Sequence, residues 1–391
     1  MKQNILNSFT TVLLLNLISL TSCQKPEETK NKIIIGETVT VPSKHLNKEM
    51  IIDVFLPEGY ASSTEKYPVL FSCHCNFLHV SGICADLELK NYTPGIIVAL
   101  VRNYNSEYLM PEKIEGYADS GCADNFISFY KDELIPFIDS HFRTQPFRIF
   151  YSGGFGGGFC IYTFLTQPGV FNAYIAASPS INYEGGSNFI ENNFKSYISK
   201  NNYEKKFLYI GIDNDTMLLP VVEKFMGDFK NANLKGLNWE YHPFLDEEHG
   251  SIANRGIYHG LKYIFSEWCN IPPSITEKGV SAIIDYIKNL NENYEYVIGI
   301  SSFAIWSTAM TFEQKNELID AIELLKYYLE YSPAAHMFWR KLGKLYEKND
   351  QFELAKNSFE TAYQKAVENS SPYLAIFTED INRIKQKLSV R

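Results

Sequence analysis

Positive charge is in short supply. The 391-residue chain has 36 Lys and Arg against 45 Asp and Glu, a formal net charge of −9. A nucleic-acid binder needs a basic face to neutralise phosphates, so that class is excluded. Long apolar runs are lacking as well. The one segment suited to a membrane, Val12 to Leu20, is shorter than the roughly 20 residues of a transmembrane helix. No Gly-x-Gly-x-x-Gly register fits the glycine-rich stretch 152–159, and no Gly-Lys-Ser or Gly-Lys-Thr follows it, so it is not a phosphate loop. Cys73-His74-Cys75 has no second ligand pair at zinc spacing. No metal and no cofactor is expected from it. Hydrophobic residues at 45% and charged residues at 21% exclude a disordered chain.

The chain opens with Lys2, the apolar run to Leu20, then Thr21-Ser22-Cys23. A charged start, a short apolar stretch and small residues describe an export signal. Leu20, three places before Cys23, resembles a bacterial lipobox. That resemblance implies cleavage after residue 22 and lipidation of Cys23. Residues 23–32 are polar and read as a flexible tether. Gln24 beside the lipidated cysteine implies the outer membrane of a Gram-negative bacterium, on its periplasmic or its surface side, with Glu27-Glu28 a weak pointer to the surface. The remaining six cysteines permit disulfides in an exported protein, without fixing a pairing.

At roughly 100–200 residues per domain, two domains follow the leader. From 33 to 273, apolar strands alternate with helical stretches: 67–71, 95–101, 147–151, 173–177, 206–212 and 237–243 read as strands. Runs without polar alternation predict a doubly wound parallel sheet covered on both faces. From 274 to 391 the pattern is helical. Trp339, Leu342, Gly343, Tyr346, Ala355, Phe359 and Ala362 follow the spacing of a tetratricopeptide repeat. One period of roughly 34 residues earlier stand Ala321, Leu325 and Pro333. Such a module binds a protein or peptide partner or packs on its neighbour domain.

The strand ending at Tyr151 runs into Ser152-Gly153-Gly154-Phe155 and then an apolar helix. Strand, sharp glycine turn and helix form the context of a nucleophile elbow. Further matches are Leu56-Pro57-Glu58-Gly59-Tyr60, Glu133-Leu134-Ile135-Pro136-Phe137 and Glu248-His249-Gly250-Ser251. On these motifs, residues 34 to 270 resemble the enterochelin-esterase-like (esterase D-like) family of α/β-hydrolases. The resemblance implies a Ser–acid–His triad acting on a small ester-like ligand. It places the catalytic histidine at His249 and the acid at Asp213 or Asp215, with Asp215 fitting the family spacing better. Cys73 and Phe155 fall in the oxyanion-hole region.

The nucleophile position holds Gly154 instead of Ser. Ser152 lies two residues before the tip, where its side chain points elsewhere. The family's Leu-Asp-Gly reads Phe71-Ser72-Cys73 here, and its arginines are replaced by Asn105 and Glu107. Gly accepts the positive φ of an elbow without steric cost. The expectation is an esterase-fold lipoprotein with lost or very weak ester hydrolysis. The alternatives are a rewired hydrolase using His249 with a Cys, Ser or water nucleophile, and a scaffold acting through the helical repeats. Two of Cys73, Cys75 and Cys122 could instead be joined across the site.

Overall fold

The computed structural model describes residues 34–73, 75–182 and 188–389. Among them eight strands form one sheet in the order β1-β2-β4-β3-β5-β6-β7-β8. They are β1 (Glu37–Ser43), β2 (Lys48–Phe55), β3 (Tyr67–Ser72), β4 (Ile97–Val101), β5 (Thr144–Gly153), β6 (Ala173–Ala177), β7 (Phe207–Ile212) and β8 (Asn238–Pro243). β1 and β2 pair antiparallel, and β2 pairs antiparallel with β4. The strands from β4 across to β8 are parallel. The expected sheet is therefore present, with an antiparallel edge that the apolar runs did not predict.

β3 shows why these strands carry no polar alternation. Val69 and Phe71 enter one core while Leu70 enters the other, and all three are fully buried. One face is covered by α2 (Ala123–Ser128), α3 (Ile135–His141), α4 (Gly154–Thr166), α5 (Phe189–Lys200) and α6 (Leu218–Ala232), through residues such as Phe126, Phe159 and Phe225. A π-helical turn, Phe129–Leu134, joins α2 to α3. The opposite face is covered by α1 (Phe77–Leu89) and α7 (Ile252–Ile264), followed by the short α8 (Ser266–Cys269).

The all-helical region begins with α9 (Pro273–Thr276) and continues through α10 (Val280–Tyr294), α11 (Ser302–Gln314), α12 (Leu318–Tyr331), α13 (His336–Lys348), α14 (Phe352–Glu368) and α15 (Leu374–Ser389). It has an apolar core of its own. A Cβ on Gly343 would sit 2.6 Å from the Phe359 ring, so glycine lets α13 and α14 touch. The sheet's core does not stop at residue 273, however. Leu290, Tyr294 and Tyr296 belong to it. The Tyr294 ring lies 5.3 Å from both Phe147 and Phe207, and its hydroxyl donates to the Ile264 carbonyl. Each such buried aromatic contributes about 2–3 kcal/mol. Gly36 to Arg391 accordingly forms one compact unit.

Candidate active site

β5 runs into Ser152-Gly153, and α4 starts at the next residue. Gly154 there has φ 54°, in the left-handed region. A side chain at that φ costs about 1–2 kcal/mol, and glycine avoids it. The local geometry is that of the expected elbow, with no side chain at its tip. Glycine also lets α4 come close to the segment leaving β6. A Cβ on Gly157 would lie 2.9 Å from Pro179 Cα and 3.1 Å from the Ala177 carbonyl oxygen.

Two strands across, about 10 Å at ordinary strand spacing, β7 ends at Ile212 and delivers Asp213 to the same sheet edge. Asp213 is fully buried, and its Oδ2 lies 3.2 Å from His249 Nδ1. Its Oδ1 accepts the Asp215 N–H at 3.3 Å. Its own N–H donates to Ser178 Oγ at 3.3 Å. Ser178, at φ 42°, is held by its N–H to the Gly211 carbonyl at 2.7 Å. The His249 side chain is 53% exposed. A buried carboxylate on one imidazole nitrogen orients the ring and leaves the other nitrogen for chemistry. The histidine loop is pinned from behind. Ser251 Oγ donates to the Glu247 carboxylate, and Arg255 Nη1 pairs with Asp246 at 2.7 Å and Glu247 at 3.1 Å.

Residues 43–206 match the family described as "Putative esterase". The match runs from the end of β1 through α5 and stops before Asp213 and His249. Its sequence is 32% identical over 77 residues to the ferri-bacillibactin esterase of Bacillus subtilis, a match spanning 19% of this chain and 27% of that enzyme. Among solved structures it is similar to an IroE-like serine hydrolase from Shewanella oneidensis. The TM-score is 0.65 at 21% identity, covering 76% of this chain and 99% of that one. It is also similar to an uncharacterised protein from Capnocytophaga ochracea, with TM-score 0.63 at 17% identity, covering 90% of this chain and 99% of that one. At such identities the likeness establishes the fold. The second reaches beyond the sheet into the helices.

At this end of the sheet, the acid partner is not the one that spacing favoured. Asp215 does not hydrogen-bond His249. Its Oδ1 accepts the N–H groups of Met217 at 2.8 Å and Leu218 at 3.0 Å, at the start of α6. Those two bonds, with the nearby His249 charge adding, hold its carboxyl below the usual range. Asp213 replaces it as the residue that orients His249. A signal for this was present: Asp215 stands just ahead of the apolar run opening at Leu218, where a capping carboxylate is expected.

Ser152 is fully buried beside the elbow and donates to the Cys73 carbonyl at 2.6 Å. Its hydroxyl is thus turned into the protein. Cys73 follows β3 alongside it and is also fully buried. Burial pushes its thiol well up, with neighbouring Cys75 adding and the hydroxyls of Ser152 and Tyr130 opposing. Burial raises the Cys75 thiol too. A thiol held protonated is a poor nucleophile. Phe155 is the second residue of α4, at the helix end where an oxyanion donor belongs.

Cys73, Cys75, Cys84, Cys122, Cys160 and Cys269 are free, so the disulfide alternative is not realised. Asn105 and Glu107 serve the loop that contains them. Asn105 Oδ1 accepts the Glu107 N–H at 3.1 Å, and Glu107 accepts the Asp119 N–H at 2.7 Å. Among the described residues no group of three or more His, Cys, Asp or Glu could hold a metal, and no helix is long and apolar enough to cross a membrane. The leader, Cys23, the tether and His74 lie outside the described residues.

Proposed function

We propose that this protein keeps the esterase fold as a binding scaffold and has lost carboxylic-ester hydrolysis, or retains only a trace of it. The observation that carries this reading is Gly154 at the elbow tip, with φ 54° and no nucleophilic atom. Removing the nucleophile of a serine triad costs on the order of a millionfold in turnover. Neither Ser152 nor Cys73 offers a substitute, because both are buried and Ser152 is already donating. The retained Asp213–His249 pair serves to recognise a small ester-like ligand at the same edge. Cys23 anchors the chain by lipid at the outer membrane, and the helical region, as tetratricopeptide repeats, offers a face to a protein or peptide partner.

One observation favours a second reading. His249 is exposed and oriented by a buried carboxylate, which is the arrangement of a general base. In that reading it activates water directly and the protein is a slow hydrolase. Release of p-nitrophenol from acetate and butyrate esters separates the two. We expect wild type to match His249→Ala. Turnover that disappears in His249→Ala overturns the binding-scaffold reading.

A further inference from the structure

The end of the sheet opposite the elbow holds a cavity of 480 Å³. Its floor comes from the residues opening β3, β4 and β5: Tyr67, Gly95 and Gln145. Its other wall comes from Trp268, the segment 296–302 after α10, and the end of α12. Ser302 Oγ donates across the seam to Asn91 Oδ1 at 3.3 Å. The cavity thus lies where the helices pack on the sheet.

Its electrostatics lean to one sign. Three helices end at it: α1 at Glu88 and Asn91, α10 through the segment that follows it, and α12 at Tyr328, Tyr331 and Ser332. A helix C-terminus carries roughly half a negative elementary charge. One helix, α11, opens there at Ser302 with the reverse polarity. The charged lining side chains are Glu65, Glu88 and Lys66. Glu65 and Lys66 are exposed at the rim, while Glu88 is half-buried. Burial raises the Glu88 carboxyl to about 7; the Glu58 N–H opposes this and the Glu58 charge adds to it. No Lys or Arg is among the groups that act on it. Burial also raises the Tyr67 hydroxyl on the floor, with Glu65 and Glu88 adding and Ser63 and Arg143 opposing, so the fields of both carboxylates reach the cavity. A desolvated carboxyl lacking a countercharge is relieved by a cation brought from outside.

The wall selects among cations. Tyr67, Trp268, Tyr296, Tyr327, Tyr328 and Tyr331 line it. Aromatic faces attract an ammonium group and pack against its C–H surface. No group of three or more His, Cys, Asp or Glu among the described residues could hold a metal, so a bare metal ion finds too few ligands. The volume is within the range of small-ligand sites. We infer that this cavity binds an organic ammonium ion, its charged head toward Glu88 and its carbon surface against the tyrosines. The site is separate from the elbow and does not rest on the reading proposed for it.

The test is calorimetric titration of the full chain at pH 8, where the Glu88 carboxyl is mostly ionised. The probes are choline, n-butylammonium, and the neutral isostere of choline in which a tert-butyl group replaces the trimethylammonium. Potassium chloride is the control for a bare cation. Saturable one-to-one binding of at least one ammonium ion is expected, with the neutral isostere about tenfold weaker than choline or worse. Glu88→Gln should weaken ammonium binding about tenfold, the worth of one contact to a buried charge, and leave the isostere unchanged. Tyr331→Ala, at a position 49% exposed and outside the core, should weaken it about threefold. The inference is overturned if neither ammonium ion binds, if the isostere binds as tightly as choline, if potassium displaces the ammonium at equal concentration, or if a folded Glu88→Gln binds as wild type. A Glu88→Gln chain that fails to fold also overturns it, because the carboxylate would then be a structural group.

Discussion

At the C-terminal ends of β5, β6 and β7, three buried polar residues are partnered. Asp213 contacts His249 and the Asp215 amide, Ser152 donates to Cys73, and Ser178 receives the Asp213 amide. At the opposite ends of β3 and β4, Thr93 and Tyr296 have buried hydroxyls without any. The first edge carries the Asp213–His249 pair beside a turn with Gly154 at its tip. The second has no reactive constellation but leaves hydrogen-bonding capacity unused. Partnered groups hold a fold together, whereas a buried group left without a partner carries an uncompensated desolvation cost.

The largest expected effect separates the two edges by removing one wall. A chain ending at residue 273 loses Leu290, Tyr294 and Tyr296 from the sheet's core and exposes Phe147 and Phe207. At about 2–3 kcal/mol for each lost aromatic, this removes much of a typical domain's stability. Loss of a cooperative melting transition by circular dichroism is expected. An unchanged melt would show that the sheet stands without the helices.

Next in size is a pair of hydroxyl deletions. Ser152→Ala takes the close donor from the Cys73 carbonyl, leaving among the described residues a 3.4 Å approach from Ser72 Oγ, which donates to the Tyr151 carbonyl at 2.7 Å. A cost of about 2 kcal/mol is expected in urea denaturation. Thr93→Val should cost nothing, or stabilise slightly. Equal costs would erase the distinction between the edges.

Smallest is the pH response of Glu88. Its folded carboxyl is raised from an ordinary 4.5 to about 7. The folded state therefore holds a proton that the unfolded state releases between those values. Stability falls as pH rises through that window and levels off above it. Glu88→Gln should match wild type near pH 4 and exceed it at pH 8 by up to about 1 kcal/mol, allowing for solvent screening. A gap that does not change with pH would count against a desolvated carboxyl at that site.

Legibility in the sequence followed burial. Ala173–Ala177 and the other inner parallel strands are apolar on both faces, so they stood out as continuous runs, whereas the parallel edge strand β8 alternates and buries none of its residues. β1 did not, because an edge strand buries only Val41 and Ser43 of its seven residues. α1 was also missed: its apolar residues do not keep to one side, so it lacks a helical stripe. At the site, Gly154 and His249 could be placed because motifs flank them. Asp213 and Asp215 both follow β7; the position of Asp215 ahead of α6 hinted at a cap, and the hydrogen bonds decided which carboxylate faces the histidine. The cavity was illegible altogether. Thr93 and Tyr296 are far apart in the chain, and nothing local in either segment signals that they share a wall.

The central claim is that the acid–base framework is intact and only the nucleophile is missing. Gly154→Ser tests it most directly, with p-nitrophenyl butyrate hydrolysis as the readout. The variant should fold with a penalty of about 1–2 kcal/mol for its positive φ and gain turnover well above wild type. Adding Asp213→Asn should abolish most of that gain, whereas Asp215→Asn should leave most of it, as expected if Asp213 orients His249. A folded Gly154→Ser protein with no gain in hydrolysis, or a gain indifferent to Asp213, would contradict the account.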